Sequence, residues 1–279
     1  MKHIPRKRFG QHFLTDDGII HAIVNAIDPK PGDVLVEIGP GLGALTRPLL
    51  DRIPHLHVVE LDRDIITRLK KTWAPERLTI HEGDALKFDF NAVIANEAKQ
   101  SSQNSNTEKI RICGNLPYNI SSPLLFHLMD YADLISDMTF MLQKEVVDRM
   151  VAAPSTPAYG RLSVMLQRRF HMEALFDVPP EAFDPPPKVE SAIVRMIPKS
   201  GSEIIALDEK LFGEIVAAAF SQRRKTLRNT LTGKLKPEEF VKLGIDAGLR
   251  AENLGTADYE AITLHVTNRN GFFVIPLLR

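Results

Sequence analysis

Short apolar runs alternate with helix-patterned stretches over the first two-thirds of the chain, and this alternation restricts the fold more than any other feature. Asp33–Ile38, His55–Glu60, Leu78–His81, Ile110–Cys113 and Met138–Leu142 read as buried strands. Between them, Leu45, Leu49 and Leu50, then Ile65, Ile66 and Leu69 within Asp62–Trp73, recur at helical spacing. Ser121-Ser122-Pro123 predicts a helix running to Met129, with Ser as the cap and Pro in the first turn. Strands separated by helices require right-handed crossovers and a mostly parallel sheet. Ala192–Met196 adds one more strand. Beyond Pro198–Ser202 strand signals stop, and residues 207–220, 223–231, 237–243 and 257–266 read as helices. The expected fold is α/β: a Rossmann-like sheet over residues 1–200 and a small all-helical domain over residues 201–279. Residues 96–108 are polar and without periodicity, which predicts a mobile surface insertion rather than a linker.

At 279 residues, with 44% hydrophobic and 25% charged, the chain has the composition of a soluble globular protein with one full domain and a smaller one. A single cysteine, Cys113, excludes an intrachain disulfide and a cysteine-based metal site. No apolar run approaches a bilayer span, and no apolar signal core follows the basic N-terminus. A cytoplasmic monomer is the expectation. The formal charge is zero, with 35 basic and 35 acidic residues, so a nucleic-acid surface must come from local clusters. One is an arm carrying Lys2, Arg6, Lys7 and Arg8 within residues 1–14; another carries Arg223, Arg224, Lys225 and Arg228 in a stretch that reads as helical. Arg161, Arg168 and Arg169 form a looser third. Each alone also fits a solvated helix face.

The chemistry is expected at strand ends, because open α/β sheets place ligands beyond the carboxyl ends of their strands. Glu37-Ile38-Gly39-Pro40-Gly41-Leu42-Gly43-Ala44 joins the first strand to a helix, and its glycines let a ligand approach the backbone at a helix N-terminus. Gly39, Gly41 and Ala44 also satisfy the dinucleotide pattern, so NAD and S-adenosylmethionine are not separated by this loop. Nor are they separated by Glu60, since both ligands carry a ribose diol. Asp84, just past the third strand, is placed to meet an adenine amine. Asn115-Leu116-Pro117-Tyr118 ends the fourth strand. There an Asn oxygen and a backbone carbonyl can accept from an exocyclic amine, which draws its lone pair out of conjugation, while Tyr118 stacks on the base. Taken alone, the tetrapeptide also fits a turn with a buried tyrosine, Glu60 a solvated strand end, and Asp84 a turn former. Together at three successive strand ends they favour S-adenosylmethionine and a base substrate.

These motifs make the chain resemble the small-subunit ribosomal RNA adenine N6,N6-dimethyltransferases. The resemblance runs through Phe9–Leu14, Gly39–Gly43, Asn115–Ile120, Gln143–Glu145, Tyr159–Val164 and Phe183–Val189, and continues in Gln222–Asn229 and Arg250–Leu254. It implies a Rossmann-like, S-adenosylmethionine-dependent methyltransferase that dimethylates two adjacent adenines near the 3′ end of small-subunit rRNA within an immature subunit. It implies that His12 and Leu14 line the cofactor entrance, with His12 contacting through its backbone because relatives often carry Asn there. It also implies that Gly39, with Gly41 in the same loop, lies against the methionine part, that Glu60 holds the ribose and Asp84 the cofactor adenine, and that Asn115 borders both cofactor and target base. The amine would be oriented by Asn115 and the Leu116 or Pro117 carbonyl, and the base would stack between Tyr118 and Phe183, although Phe183 alone also fits plain core packing. No metal is expected, because a sulfonium methyl is already activated. Two related readings share parts of the pattern: a large-subunit rRNA methyltransferase of the antibiotic-resistance type, and a ribosome-assembly factor acting mainly by binding.

Overall fold

The computed structural model describes residues 12–100 and 109–269. In chain order its elements are β1 (Phe13–Leu14), α1 (Asp17–Ile27), β2 (Leu35–Ile38), α2 (Thr46–Leu50), β3 (Leu56–Glu60), α3 (Arg63–Thr72), β4 (Leu78–Glu82), α4 (Asn91–Gln100), β5 (Ile110–Asn115), α5 (Ser121–Met129), β6 (Ile135–Gln143), α6 (Lys144–Val151), α7 (Arg161–Arg169), β7 (Phe170–Val178), β8 (Phe183–Asp184), β9 (Ser191–Pro198), α8 (Glu209–Ala219), α9 (Leu227–Thr230), α10 (Pro237–Lys242) and α11 (Thr256–Arg269).

Seven strands form one sheet in the order β4-β3-β2-β5-β6-β9-β7. The pairs from β4 through β6 are parallel, and β9 runs antiparallel to β6. From β2 the chain builds outward through β3 to β4, then returns to pair β5 with the other side of β2. That reversal makes β2 and β5 the switch point, where adjacent strand ends diverge and leave a crevice. Val36, Val58, Ile110 and Ile112 are fully buried in the sheet, which explains their unbroken apolar runs.

Helix α1 is framed by local signals that the strand-first reading passed over. Asp16 caps it by accepting from the Ile19 N–H at 2.9 Å, and Ile20, Ile23, Val24 and Ile27 form its buried stripe. In α5 the expected serine cap is replaced. The helix begins at Ser121, its N-cap is Ile120, and the Ser121 hydroxyl turns back to the Pro117 carbonyl at 3.1 Å. Residues 96–100, expected in a surface insertion, continue α4, whereas residues 101–108 lie outside the described residues. The edge strand β7 was not expected. It carries His171, Glu173 and Asp177, polar groups that suit a sheet edge and mask the apolar alternation.

The contacts divide the chain into two compact units, Met1–Val147 with His171–Pro198, and Asp148–Phe170 with Lys199–Arg279. Where the sequence suggested a single cut near residue 200, the second unit takes its first segment from 148–170. Its core is assembled from Tyr159 and Val164 in that segment with Phe212, Ile215, Val216, Leu227, Phe240, Tyr259 and Ile262. Within it Arg168 is 2% exposed, bonds Glu209 and the Ile205 carbonyl, and pairs with Glu260. Arg168 is therefore a structural cation and leaves the third basic group as a surface feature.

Candidate active site

The loop after β2 is shaped by backbone conformations that suit glycine. Gly39, Gly41 and Gly43 have φ of 67°, 54° and 87°. A Cβ on Gly43 would meet the Trp73 ring at 2.7 Å, so this glycine keeps the turn against α3. Turns occupy residues 41–45, and α2 starts only at Thr46 and is five residues long. The expected helix N-terminus is thus displaced from the glycines, and the backbone of the loop itself lines the crevice.

Across the switch point, Gly114 brings β5 close to β2: a Cβ there would fall 2.4 Å from the Ile38 carbonyl oxygen. Gly114 was not singled out in the sequence, although its place just before Asn115 follows from this close approach. Asn115 then emerges beside Gly39, whose hypothetical Cβ would lie 3.9 Å from the Asn115 carbonyl. Its side-chain Nδ2 donates to the His12 carbonyl at 3.4 Å, and among the described residues Oδ1 takes no hydrogen bond. The Pro117 carbonyl accepts from the Ile120 N–H and the Ser121 hydroxyl, each at 3.1 Å, so both its lone pairs are occupied. No such bond within the described residues uses the Leu116 carbonyl.

Tyr118 is held at both ends. Its hydroxyl shares a hydrogen bond with Ser191 Oγ at 2.8 Å, and its ring stacks on His12 with centroids 5.9 Å apart. Burial raises the Tyr118 pKa, with Ser191 opposing the shift. His12 Nδ1 in turn donates to the Pro185 carbonyl at 2.7 Å. The His12 imidazole therefore sits on the Tyr118 side of the crevice, a contact beyond the backbone one expected. Ser191, fully buried at the start of β9, was missed because it lies 73 residues from Tyr118.

Phe183 departs from its expected place. It is 4% exposed, pairs with Leu14 across β1 and β8, and packs in the main core. Its ring is core in this conformation and does not line the cavity.

Glu60 is buried at the end of β3, and its Oε1 accepts from the N–H groups of Leu61 and Asp62 at 2.8 Å each. Burial raises its pKa while these donors and the Gly41 N–H hold it down. Asp84 accepts from the Leu86 N–H through one oxygen at 3.0 Å, and the residue lines the crevice. Deeper in, Glu37 is 1% exposed and accepts from the Thr46 hydroxyl at 2.6 Å. Burial pushes its pKa up to about 7, with Thr46 lowering it and the neighbouring Glu60 charge raising it.

A cavity of about 850 Å³ connects His12, Leu14, Glu37, the Gly39–Gly43 loop, Glu60, Asp84 and Asn115–Tyr118. The volume suits a nucleoside-sized ligand. The donor set fits S-adenosylmethionine: carboxylates for a ribose and an amine, and a glycine loop close enough for a backbone contact. Of the basic residues, Arg223, Arg224, Lys225 and Arg228 are exposed in the second unit. The first three lie in a turn, with the Lys225 N–H donating to the Gln222 carbonyl, and only Arg228 is in helix α9. Arg6, Lys7 and Arg8 lie outside the described residues.

The sequence profile of the family described as "Ribosomal RNA adenine dimethylase" matches residues 2–267. A ribosomal RNA small subunit methyltransferase A of Thiobacillus denitrificans is 67% identical over 267 residues, which cover 96% of this chain and 100% of the relative. Among solved structures, a dimethyladenosine transferase from Plasmodium falciparum aligns with a TM-score of 0.76 at 28% identity, covering 94% of this chain and 100% of the other. The 23S rRNA methyltransferase ErmE aligns at a TM-score of 0.66 and 23% identity over 90% of this chain and 98% of the other, a likeness of fold.

Proposed function

Since the chain belongs to the ribosomal RNA adenine dimethylase family, we propose that its Asn115 crevice dimethylates the N6 amine of two adjacent adenines near the 3′ end of small-subunit rRNA. The enzyme is a methyltransferase that uses S-adenosylmethionine and acts on small-subunit rRNA. The observation that carries the finer reading is the pair of acceptors at the switch point. Asn115 Nδ2 is bonded to the His12 carbonyl, and among the described residues neither Oδ1 nor, of the two candidate carbonyls, that of Leu116 takes a hydrogen bond. Two acceptors fix both N–H bonds of an NH2 group, so the amine pyramidalises and its lone pair points into the crevice.

S-adenosylmethionine, when bound, supplies an electrophilic methyl on a sulfonium. The chain's part is placement, which can contribute roughly 7–11 kcal/mol to such a reaction. Glu60 would grip the ribose, Asp84 the cofactor adenine, and the Gly39–Gly41 backbone the methionine part. Tyr118 offers its ring to the target base, with Phe183 joining only by leaving its core packing. An unpaired adenine is the cheaper target, because extruding a stacked base costs a few kcal/mol. The reaction needs no metal, since the methyl arrives activated.

Arg223, Arg224, Lys225 and Arg228, with the arm residues Arg6, Lys7 and Arg8, would contact phosphates of the RNA and set register without reading sequence. Replacing Arg223 and Arg224 with Ala should weaken RNA binding and reduce its salt slope by roughly two. An unchanged slope would remove them from the interface. No helix among the described residues is long and apolar enough to cross a membrane, and we place the enzyme in the cytoplasm as a monomer acting on immature small subunits.

The deciding experiment is transfer of labelled methyl from S-adenosylmethionine to unmodified small-subunit particles, naked rRNA and large subunits. N6,N6-dimethyladenosine confined to small-subunit rRNA is the expected product. Label on large-subunit RNA would move the chain to the resistance-type activity, and particle binding without transfer would make it an assembly factor.

A further inference from the structure

At the amino end of β3, away from Glu60, His55 and His57 stand two residues apart and share one face of the sheet. Helix α4 brings Glu97 over that face. His57 Nε2 lies 2.8 Å from Glu97 Oε1, and His55 Nδ1 lies 3.9 Å from the same oxygen. One ring nitrogen from each histidine and a Glu97 oxygen all lie within 4.8 Å of one another. The His57 ring is 1% exposed, whereas His55 and Glu97 are about a quarter exposed, at 22% and 25%.

A chain of ordinary hydrogen bonds would hold these groups as well, but the remaining nitrogens are arranged in a telling way. His57 Nδ1 is 3.1 Å from Nε2 of His81 on β4, and His55 Nε2 is 2.9 Å from the Thr79 hydroxyl. Each histidine is thus gripped from behind, with its other nitrogen aimed toward Glu97. That outer support is characteristic of metal-ligating imidazoles, whose second nitrogen is almost always hydrogen-bonded.

We propose that His55, His57 and Glu97 form a structural site for a divalent ion of the zinc type, oriented by Thr79 and His81. Two imidazoles and one carboxylate suit zinc and its borderline neighbours, whereas magnesium and calcium take oxygen sets. Ligands at about 2.0–2.2 Å around a tetrahedral ion stand roughly 3.4 Å apart. The two histidine–Glu97 distances of 2.8 and 3.9 Å bracket that spacing, and all three donor atoms lie within 4.8 Å of one another, so the side chains must draw together to seat the ion. Water would complete the coordination. None of the three ligands lines the cofactor cavity, so the site lies outside the methyl-transfer machinery. Its effect would be to clamp α4, which carries the start of the polar 96–108 stretch, to β3. This gives that stretch a structural anchor that the chemistry of methyl transfer does not call for.

The test uses the full chain stripped of metal with a chelator and titrated with zinc chloride by calorimetry, alongside thermal unfolding with and without zinc. His57 is too buried to substitute safely, so the variants are His55→Ala and Glu97→Gln, with exposed His21→Ala as the control. The wild type and H21A should bind one equivalent in the micromolar range or tighter and unfold at a higher temperature with zinc. H55A and E97Q should lose affinity by about tenfold or more, and the thermal shift with it, while cofactor affinity stays unchanged. A wild-type chain that binds no zinc, or H55A and E97Q that bind it as the wild type does, would overturn the site.

Discussion

The two ends of the central sheet treat their polar groups in opposite ways. At the amino end, Arg111 of β5 uses all five of its N–H donors. Nε and Nη2 bond Asp137 at 2.7 and 2.8 Å, Nη1 bonds Asp33 at 2.6 Å and the Asp28 carbonyl at 3.2 Å, and Nη2 also reaches the Ile27 carbonyl at 2.5 Å. The same strand ends in Asn115, whose side chain makes one long bond among the described residues, at 3.4 Å. A closed network fixes strand register and joins α1 to the sheet; an unfinished one offers acceptors to a ligand. On the proposed reading, six residues of one strand run from stability to chemistry, and the difference is how much hydrogen-bonding capacity the fold has already used.

Breaking the closed end should produce the largest effect. Arg111→Ala leaves Asp33 and Asp137, both mostly buried, without their cation, and should lower unfolding stability by about 3 kcal/mol in urea denaturation. Methyl transfer per folded molecule should stay near the wild-type value. A stability loss confined to tenths of a kcal/mol would show that the Arg111 network leaves its carboxylates satisfied by water instead. At the open end, Asn115→Ala should leave stability nearly intact and reduce kcat about 100-fold, roughly 2.7 kcal/mol. Cofactor Kd should move by less than about threefold, so matched losses in turnover and affinity would count against Asn115 as the amine acceptor.

The same contrast explains what could be read from the sequence. Groups at the open end advertise themselves locally: Gly39–Gly43, Glu60, Asp84 and Asn115–Tyr118 each follow a short apolar run, so strand ends could be located without coordinates. Groups that complete one another across the sheet do not. Ser191 meets Tyr118, and His81 and Glu97 meet His57, only through strand order and register. Edge strand β7 was hidden because its charged residues suit solvent, and Arg223–Lys225 read as helix because their neighbours keep helical spacing up to Leu231. Phe183, in a Pro-rich loop, fits a stacking face or core packing alike from the sequence, and its pairing with Leu14 draws the ring into the core. Arg168 looked like a surface cation until Glu209 and Glu260, 41 and 92 residues away, were found around it.

Ser191 sharpens the comparison, because it is a closed contact serving the open end. On the proposed reading it is a positioning residue: it holds the Tyr118 hydroxyl and does not border the cavity. Ser191→Ala should lower kcat about tenfold, near 1.4 kcal/mol, with cofactor Kd unchanged, and Ser191→Thr should restore part of the loss. A change in cofactor affinity instead of turnover would reassign the contact to the cofactor side.

Glu37 is the smallest effect and the most direct probe of incomplete satisfaction in the crevice. Its folded pKa of about 7 lies above the ordinary 4.5 because burial penalises the carboxylate more than the Thr46 hydroxyl relieves it. The folded state thus holds a proton that the unfolded chain has released, so the associated stability is complete below pH 4.5 and is lost as pH rises through about 7. A ligand carrying a sulfonium and an ammonium favours the charged carboxylate, which gives affinity the opposite slope. If binding lowers the Glu37 pKa by about one unit, cofactor affinity should rise about fivefold between pH 6 and pH 8. Glu37→Gln should flatten that profile and make the empty protein less sensitive to pH between 5 and 7. A wild-type affinity that does not vary with pH would mean that Glu37 is closed off by Thr46, and that the boundary between finished and unfinished polar groups runs above it in the crevice.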